Sequence, residues 1–549
     1  MFLVGIYSDL EEEKTILSAF VSSPYSDIIG VRDLLSDQIF AALVSRFSRN
    51  LKPFQQRLIE GIVKKDIPLP PHDSRIWPEI STVFDYSAGS SELTISRFAQ
   101  SFRHHAMKEL VTVKAVMEKI PTTTFVEIIN EARLHPLSQS TRYLPFNESA
   151  KLSVWNPDVQ HSPFAKQLIP LYQKSADNMS EMKQILLNHM RNSDINQAWL
   201  NEMKTKIGTA KATELFEKDT ELSTIDHVRY LCSATLPISF GFATDARTME
   251  DLLTKLYSAP MLDQNLTGMR LRVEMQKLYP VLFGHGANIK RNEFAINLRN
   301  KLADMLPKLF DFEANESYDK SPRLSVLPID KIDDRLIAAA LVWEQGRGAF
   351  MQYYEALTPD KTDKILGLVK DLRNVHDPLP RAFDISLPVI ETMIDYGADR
   401  DLRRNRKWSW MTQWLSASNE AEMTPLIDSV PSAKQLYSDT LAEHNDVFQQ
   451  ISDYYKKKRN PGAWLPQGQL ACLFGHKVRR LISGSAYEMA YVAENRSPRP
   501  GHLSYRDIAQ RIGDYLGDVA PNTASSLYID RREYPPELTN AARDWFDSR

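Results

Sequence analysis

Residues 470–521 read LACLFGHKVRRLISGSAYEMAYVAENRSPRPGHLSYRDIAQRIGDYLGDVAP. An apolar, strand-like run comes first, then a helix, a proline-bearing loop, and a second helix that ends at a proline. Residues 236–280, LPISFGFATDARTMEDLLTKLYSAPMLDQNLTGMRLRVEMQKLYP, follow the same order. Thr248 with Asp251 and Ser485 with Glu488 both resemble capping boxes at helix starts. Two segments of one plan so far apart point to an internal duplication. The last helix is the clearest. Tyr505, Ile508, Ala509, Ile512 and Leu516 line one side, and Ser504 with Asp507 is the expected cap. Arg506 then falls in the first turn, where the helix dipole disfavours a cation, so it needs a compensating anion.

Upstream blocks extend the duplication. Leu110, Val113, Val116 and Met117 read as one face of a helix over 108–135 that Pro121 interrupts and Phe125, Val126, Ile129 and Ala132 resume. In the second half Phe383, Leu387, Ile390 and Ile394 recur at i, i+4, i+7 and i+11, a helical stripe before the polar run DYGADRDLRRNRKW. The stretch 312–330 is polar, carries two prolines and lacks periodicity, so the expected division is 1–315 and 326–549.

Composition narrows the classes. The chain has 549 residues, with 67 Lys and Arg against 70 Asp and Glu, a balance that argues against a dedicated nucleic-acid binder. Cys232 and Cys472 are the two cysteines, far apart, so neither a disulfide framework nor a zinc site is expected, and no metal is assigned. A reducing, cytoplasmic setting fits. The N-terminal apolar run meets three glutamates at once and reads as a strand, not a signal peptide. No apolar stretch is long enough to span a membrane.

Three blocks carry chemistry. Ser138-Gln139-Ser140-Thr141-Arg142-Tyr143 offers hydroxyls, an amide and a guanidinium after a helix, a set suited to phosphate oxygens. A polar loop with a solvated arginine gives the same pattern. Arg400-Asp401-Leu402-Arg403-Arg404-Asn405-Arg406-Lys407 is a cationic run followed by Trp408 and Trp410, either an exposed charged face or support for a planar, phosphorylated cofactor. Pro500-Gly501-His502-Leu503-Ser504-Tyr505-Arg506 is the third, its histidine structural or chemical.

These blocks resemble the flavin-dependent thymidylate synthases, the ThyX family, whose motif is Arg-His-Arg, seven residues, then Ser-x-Arg-Tyr. Asn130-Glu131-Ala132 stands where the triplet would be, seven residues before Ser140-Thr141-Arg142-Tyr143, so the first half keeps only the end of the motif. Arg404-Asn405-Arg406 falls on the triplet in the second half, with Asn for His, and Trp414 replaces the serine. RHHAMKEL resembles the family's upstream flavin-contacting segment, with His104 and Glu109 in its outer positions; Asp384 stands at the equivalent glutamate of the second half. GHLSYRDIAQ resembles the family's late segment, with Arg506 on its arginine.

The resemblance implies an α+β fold of two tandem repeats, each a twisted, mainly antiparallel sheet packed with long helices. It implies FAD, with NADPH and methylenetetrahydrofolate as co-substrates, and reductive methylation of dUMP to dTMP. It also implies a homodimer acting as a pseudo-tetramer, while the charge balance argues against a nucleic-acid partner and the lack of a long apolar stretch against a membrane one. On the resemblance, Ser140, Thr141, Arg142, Arg404 and Arg506 bind the nucleotide, and Arg404 and Arg506 stabilise developing charge. His104, Glu109, Asp384, Arg404, Asn405 and Arg406 would hold the flavin. Two alternatives stay open: a degenerate ThyX-like protein that binds nucleotide or flavin without the synthase reaction, and a helical scaffold or nucleic-acid binder using the basic runs, Lys456-Lys457-Lys458-Arg459 among them.

Overall fold

A computed structural model describes residues 10–32, 40, 43–44, 52–63, 105–131, 133–142, 150–284, 287, 289–311, 322–374, 377–404, 408–457, 461–498 and 501–548. The fold is α+β and mostly helical, with two four-stranded antiparallel sheets. Its contacts divide the chain into unit 1, residues 1–140 with 237–292, and unit 2, residues 141–236 with 293–549.

Unit 1 holds strands β1 (Ile28–Gly30), β2 (Thr112–Pro121), β3 (His135–Ser138) and β4 (Pro237–Asp245) in the order β1-β2-β4-β3. Val116 faces Gly241 and Ala115 faces Phe242 across the central pair. Ile16, Leu17, Phe20, Phe54, Leu58 and Ile59, from the helices Leu10–Phe20 and Phe54–Val63, form one core with Ile29 and Val116 of the sheet. Burying each such side chain is worth about 1.5–3 kcal/mol. Asp245 ends β4 and caps the helix Ala246–Tyr257 by accepting from Thr248 N at 2.8 Å.

Unit 2 holds β5 (Leu324–Val326), β6 (Val389–Asp395), β7 (Ser409–Thr412) and β8 (Lys477–Ser483) in the order β5-β6-β8-β7. Each sheet therefore places its strands in chain order first, second, fourth, third. Each fourth strand leads into two successive helices: Ala246–Tyr257 and Leu262–Leu278 after β4, Ala486–Arg496 and Leu503–Val519 after β8. That agreement is what two repeats require.

Both repeats also contribute a long helix before the fourth strand, 28 residues at Ala165–Asn192 and 27 at Pro431–Lys457. These two pack on one another inside unit 2. Asn178 donates to Thr440 Oγ1 at 2.8 Å, and Ser175 Oγ lies 2.7 Å from His444 Nε2. Each repeat then makes a short 3-10 turn ending at a cysteine, Cys232 in one and Cys472 in the other. The two turns pair reciprocally: Ala234 N donates to Cys472 O at 2.8 Å and Phe474 N to Cys232 O at 2.7 Å. The cysteines thus occupy equivalent positions. Both are free and buried, and burial pushes the Cys232 thiol up to about 12.

Several local expectations change. Residues 112–121 and 389–395 are strands, not helix, and the helices that follow are short, Thr122–Ile129 and Tyr396–Leu402. All of β6 is buried, and a strand buried on both faces loses the alternation that would mark it. The helix at Ala246 begins before Thr248, because Asp245 takes the cap. The cap of Leu503–Val519 is His502, whose Nδ1 accepts from Ser504 N at 3.2 Å, in place of Ser504. Ser485 does cap its helix, accepting from Glu488 N. The N-terminal run lies outside the described residues. Among those described, no helix is long and apolar enough to cross a membrane.

Candidate functional site

The charged blocks of unit 2 converge on a buried cluster. The turn at Thr141 and Arg142 opens the unit. Asp226 and His227 lie in the last turn of the helix Thr209–Val228, and Arg229 starts the 3-10 turn beyond it. Asp395 closes β6 and caps the next helix through Ala398 N at 2.8 Å. That helix supplies Asp399, Arg400 and Asp401, and Arg403 follows at its C-cap. Gly397 sits close above Arg229: a Cβ there would stand 3.4 Å from Arg229 Nε and 3.3 Å from Asp395 Oδ1.

Arg142 grips Asp226 with two donors, Nε at 2.8 Å and Nη2 at 2.7 Å, and its Nη1 donates to the Tyr505 hydroxyl at 2.7 Å. Burial opposes the charge on Arg142, but Asp226 outweighs it and holds the guanidinium well above its ordinary value. Burial likewise opposes the Asp226 carboxylate, and Arg142 holds it below its ordinary value. Both shifts describe one tight ion pair.

Around that pair lie further ones. Arg229 Nη1 donates to Asp401 Oδ2 at 3.2 Å. Arg400 Nη1 donates to Thr141 Oγ1 at 3.0 Å, and its Cζ lies 5.3 Å from the centre of the Phe474 ring. Burial lowers Arg400 to about 10. Asp399 accepts from Arg403 Nε at 2.9 Å and also from Arg480, whose guanidinium lies 4.6 Å over the Trp410 ring. Arg229 is 1% exposed, and its Nε and Nη2 have no hydrogen-bond partner among the described residues. The cluster therefore carries more cations than carboxylates.

The expected site residues separate. Thr141 and Arg142 meet the second half through Arg400 and Tyr505. Ser140 ends unit 1, partly buried. Arg404 is exposed at the end of its turn, and Asn405 and Arg406 lie outside the described residues, as does His104. Glu109, in unit 1, accepts from Arg133 at 3.0 Å and Arg247 at 2.6 Å. Asp384 is exposed. Arg506 is buried, but it donates to Ser497 O at 2.7 Å and Arg532 O at 3.1 Å and lies 5.5 Å from the Tyr534 ring centre. Carbonyl oxygens and a ring face thus satisfy the cation at that helix start.

Asp226, His227 and Arg229 escape the sequence reading. Their signal is the run Asp226-His227-Val228-Arg229, polar side chains closing an otherwise ordinary helix. A cleft beside them is lined by Met190, Asp226, His227, His502, Tyr534 and Arg543, among others. Burial keeps both imidazoles neutral, pushing His227 down to about 4 and His502 well below its ordinary value.

No family model matches the chain. It is 23% identical over 487 residues to a UPF0159 protein of Thermoplasma acidophilum, covering 83% of this chain and 93% of that one. A UPF0159 protein of Chlamydia pneumoniae is 21% identical over 511 residues, 91% of this chain and 90% of its own. One of Chlamydia muridarum is 20% identical over 558 aligned positions, with 95% and 96% covered. The similarity is distant and runs over nearly the whole length.

Proposed function

We propose that the chain is a ThyX-like protein that keeps nucleotide or flavin binding and does not make dTMP. The observation that carries this reading is the Arg142 guanidinium, whose two-pronged edge is taken by Asp226. A nucleotide phosphate at Arg142 would have to displace a carboxylate inside the protein and leave it charged and unpaired. The cationic surplus around Arg229 and Arg400, with Arg404 exposed at the margin, supports a role in binding an anionic ligand. Two repeats per chain make a homodimer the assembly this reading carries.

One observation favours a second reading, an FAD-dependent synthase that methylates dUMP with methylenetetrahydrofolate and NADPH. The loop that keeps the end of the motif in the first half meets the helix just before the triplet of the second, with Arg400 donating to Thr141. Absorbance spectra of the purified protein with FAD, with and without dUMP, separate the two when joined to an assay of NADPH oxidation. A ligand-dependent spectrum without dUMP-dependent oxidation is expected. Formation of dTMP selects the second reading, and absence of both flavin and nucleotide binding removes both.

A further inference from the structure

The cleft in unit 2 has a donor with nothing to donate to. His502 is 3% exposed, and its Nδ1 accepts from Ser504 N, so the neutral ring carries its proton on Nε2. That Nε2 has no hydrogen-bond partner among the described residues. The Nδ1 edge is turned to the helix backbone, and His502 is among the residues that line the cleft. A buried donor without a partner is costly and asks for an acceptor.

The charges beside it fix the kind of acceptor. Arg543 lines the cleft, and both Arg543 and Arg506 lie over the Tyr534 ring, 5.2 and 5.5 Å from its centre. Asp226 is the carboxylate among the lining residues, and Arg142 already neutralises it. Arg229 adds a further buried cation to the same field. Met190, Leu503, Pro535 and Leu538 give the cleft apolar walls, which strengthen any charge interaction made inside it.

We infer that this cleft is a binding site for a small oxyanion, a carboxylate or a phosphate group, held by the His502 Nε2–H and Arg543. The inference stands apart from the proposed function, since a chain that binds no nucleotide could still hold an oxyanion here.

Calorimetric titration with acetate and, separately, inorganic phosphate, at constant ionic strength in chloride buffer, tests it. Saturable 1:1 binding of one or both is expected, and which one binds identifies the source of the oxyanion. His502→Asn keeps a side-chain acceptor for the helix cap but removes the deep donor, and Arg543→Gln removes the cation. Each should weaken binding roughly tenfold or more, the scale of one charge-assisted hydrogen bond. Histidine-selective 15N labelling of the unmutated protein gives an independent readout: the His502 Nε2 resonance should shift on titration. No saturable binding of either anion overturns the site. Binding that both folded variants retain, or that leaves the His502 resonance unmoved, overturns it as well.

Discussion

Arg142 and Asp226, 84 residues apart in sequence, are joined by two parallel hydrogen bonds of 2.8 and 2.7 Å. The arginine comes from the loop that resembles a phosphate cradle, and the aspartate comes from the end of a helix that no motif marks. The pair is buried on both sides, and Tyr505 closes it through Arg142 Nη1. A guanidinium so engaged serves the fold first.

Thr141 accepts from Arg400 Nη1 at 3.0 Å in a buried setting. Thr141→Val keeps the shape and removes the acceptor. It should lower the unfolding free energy by about 1–2 kcal/mol, read from urea denaturation, because a buried charged donor loses a partner.

Gly475 packs against the hydroxyl of Tyr437, which donates to Glu422 O at 2.8 Å. A Cβ at 475 would collide with that hydroxyl. Gly475→Ala should cost about 1–3 kcal/mol by overpacking. Tyr437→Phe removes the colliding atom, so the double variant should be destabilised by less than the sum of the singles. Additive losses would place the strain elsewhere.

His476 is buried and neutral, accepting from Leu473 N at 2.9 Å while its Nε2 lies 3.0 Å from Asn445 Oδ1. Burial, helped by His444, pushes it down to about 3. The folded value lies below the unfolded one of roughly 6.5, so the unfolded chain takes up the proton first and stability falls as pH drops below about 6.5. His476→Asn removes that contribution. Its difference in unfolding free energy between pH 7.5 and 5 should be smaller than that of the unmutated protein by about 2 kcal/mol.

Much of the fold is legible in the chain because the late helices keep a clean period. Tyr505, Ile508, Ala509, Ile512 and Leu516 are all buried on one side of Leu503–Val519, as their spacing requires. The strands are harder. Val113, Val116 and Met117 fit a helical face as well as a buried strand, and β2 is settled by pairing with β4, which lies more than a hundred residues away. The capping role of His502 is hidden for a related reason: a histidine acceptor at a helix start is less common than the serine two positions on. Of the candidate site, the positions of Thr141, Arg142 and the Arg400 block can be read from the sequence. Their charge partners Asp226 and Arg229 cannot, since partnership in a buried cluster depends on tertiary proximity. What neutralises a cation decides whether it is available to a ligand, and that information is not local.

Arg142 is part of the protein's own ionic core. A double-mutant cycle with Arg142→Met and Asp226→Leu, read by equilibrium unfolding and by dUMP calorimetry on the same samples, tests this most directly. Each single variant should lose about 3–5 kcal/mol, because one buried charge is left unpaired, and the double variant should recover most of that loss. In the double variant, dUMP binding, where present, should stay within about threefold of the unmutated protein, a change of less than roughly 0.7 kcal/mol. Single variants that unfold like the unmutated protein but no longer bind dUMP would contradict the account and return Arg142 to the substrate.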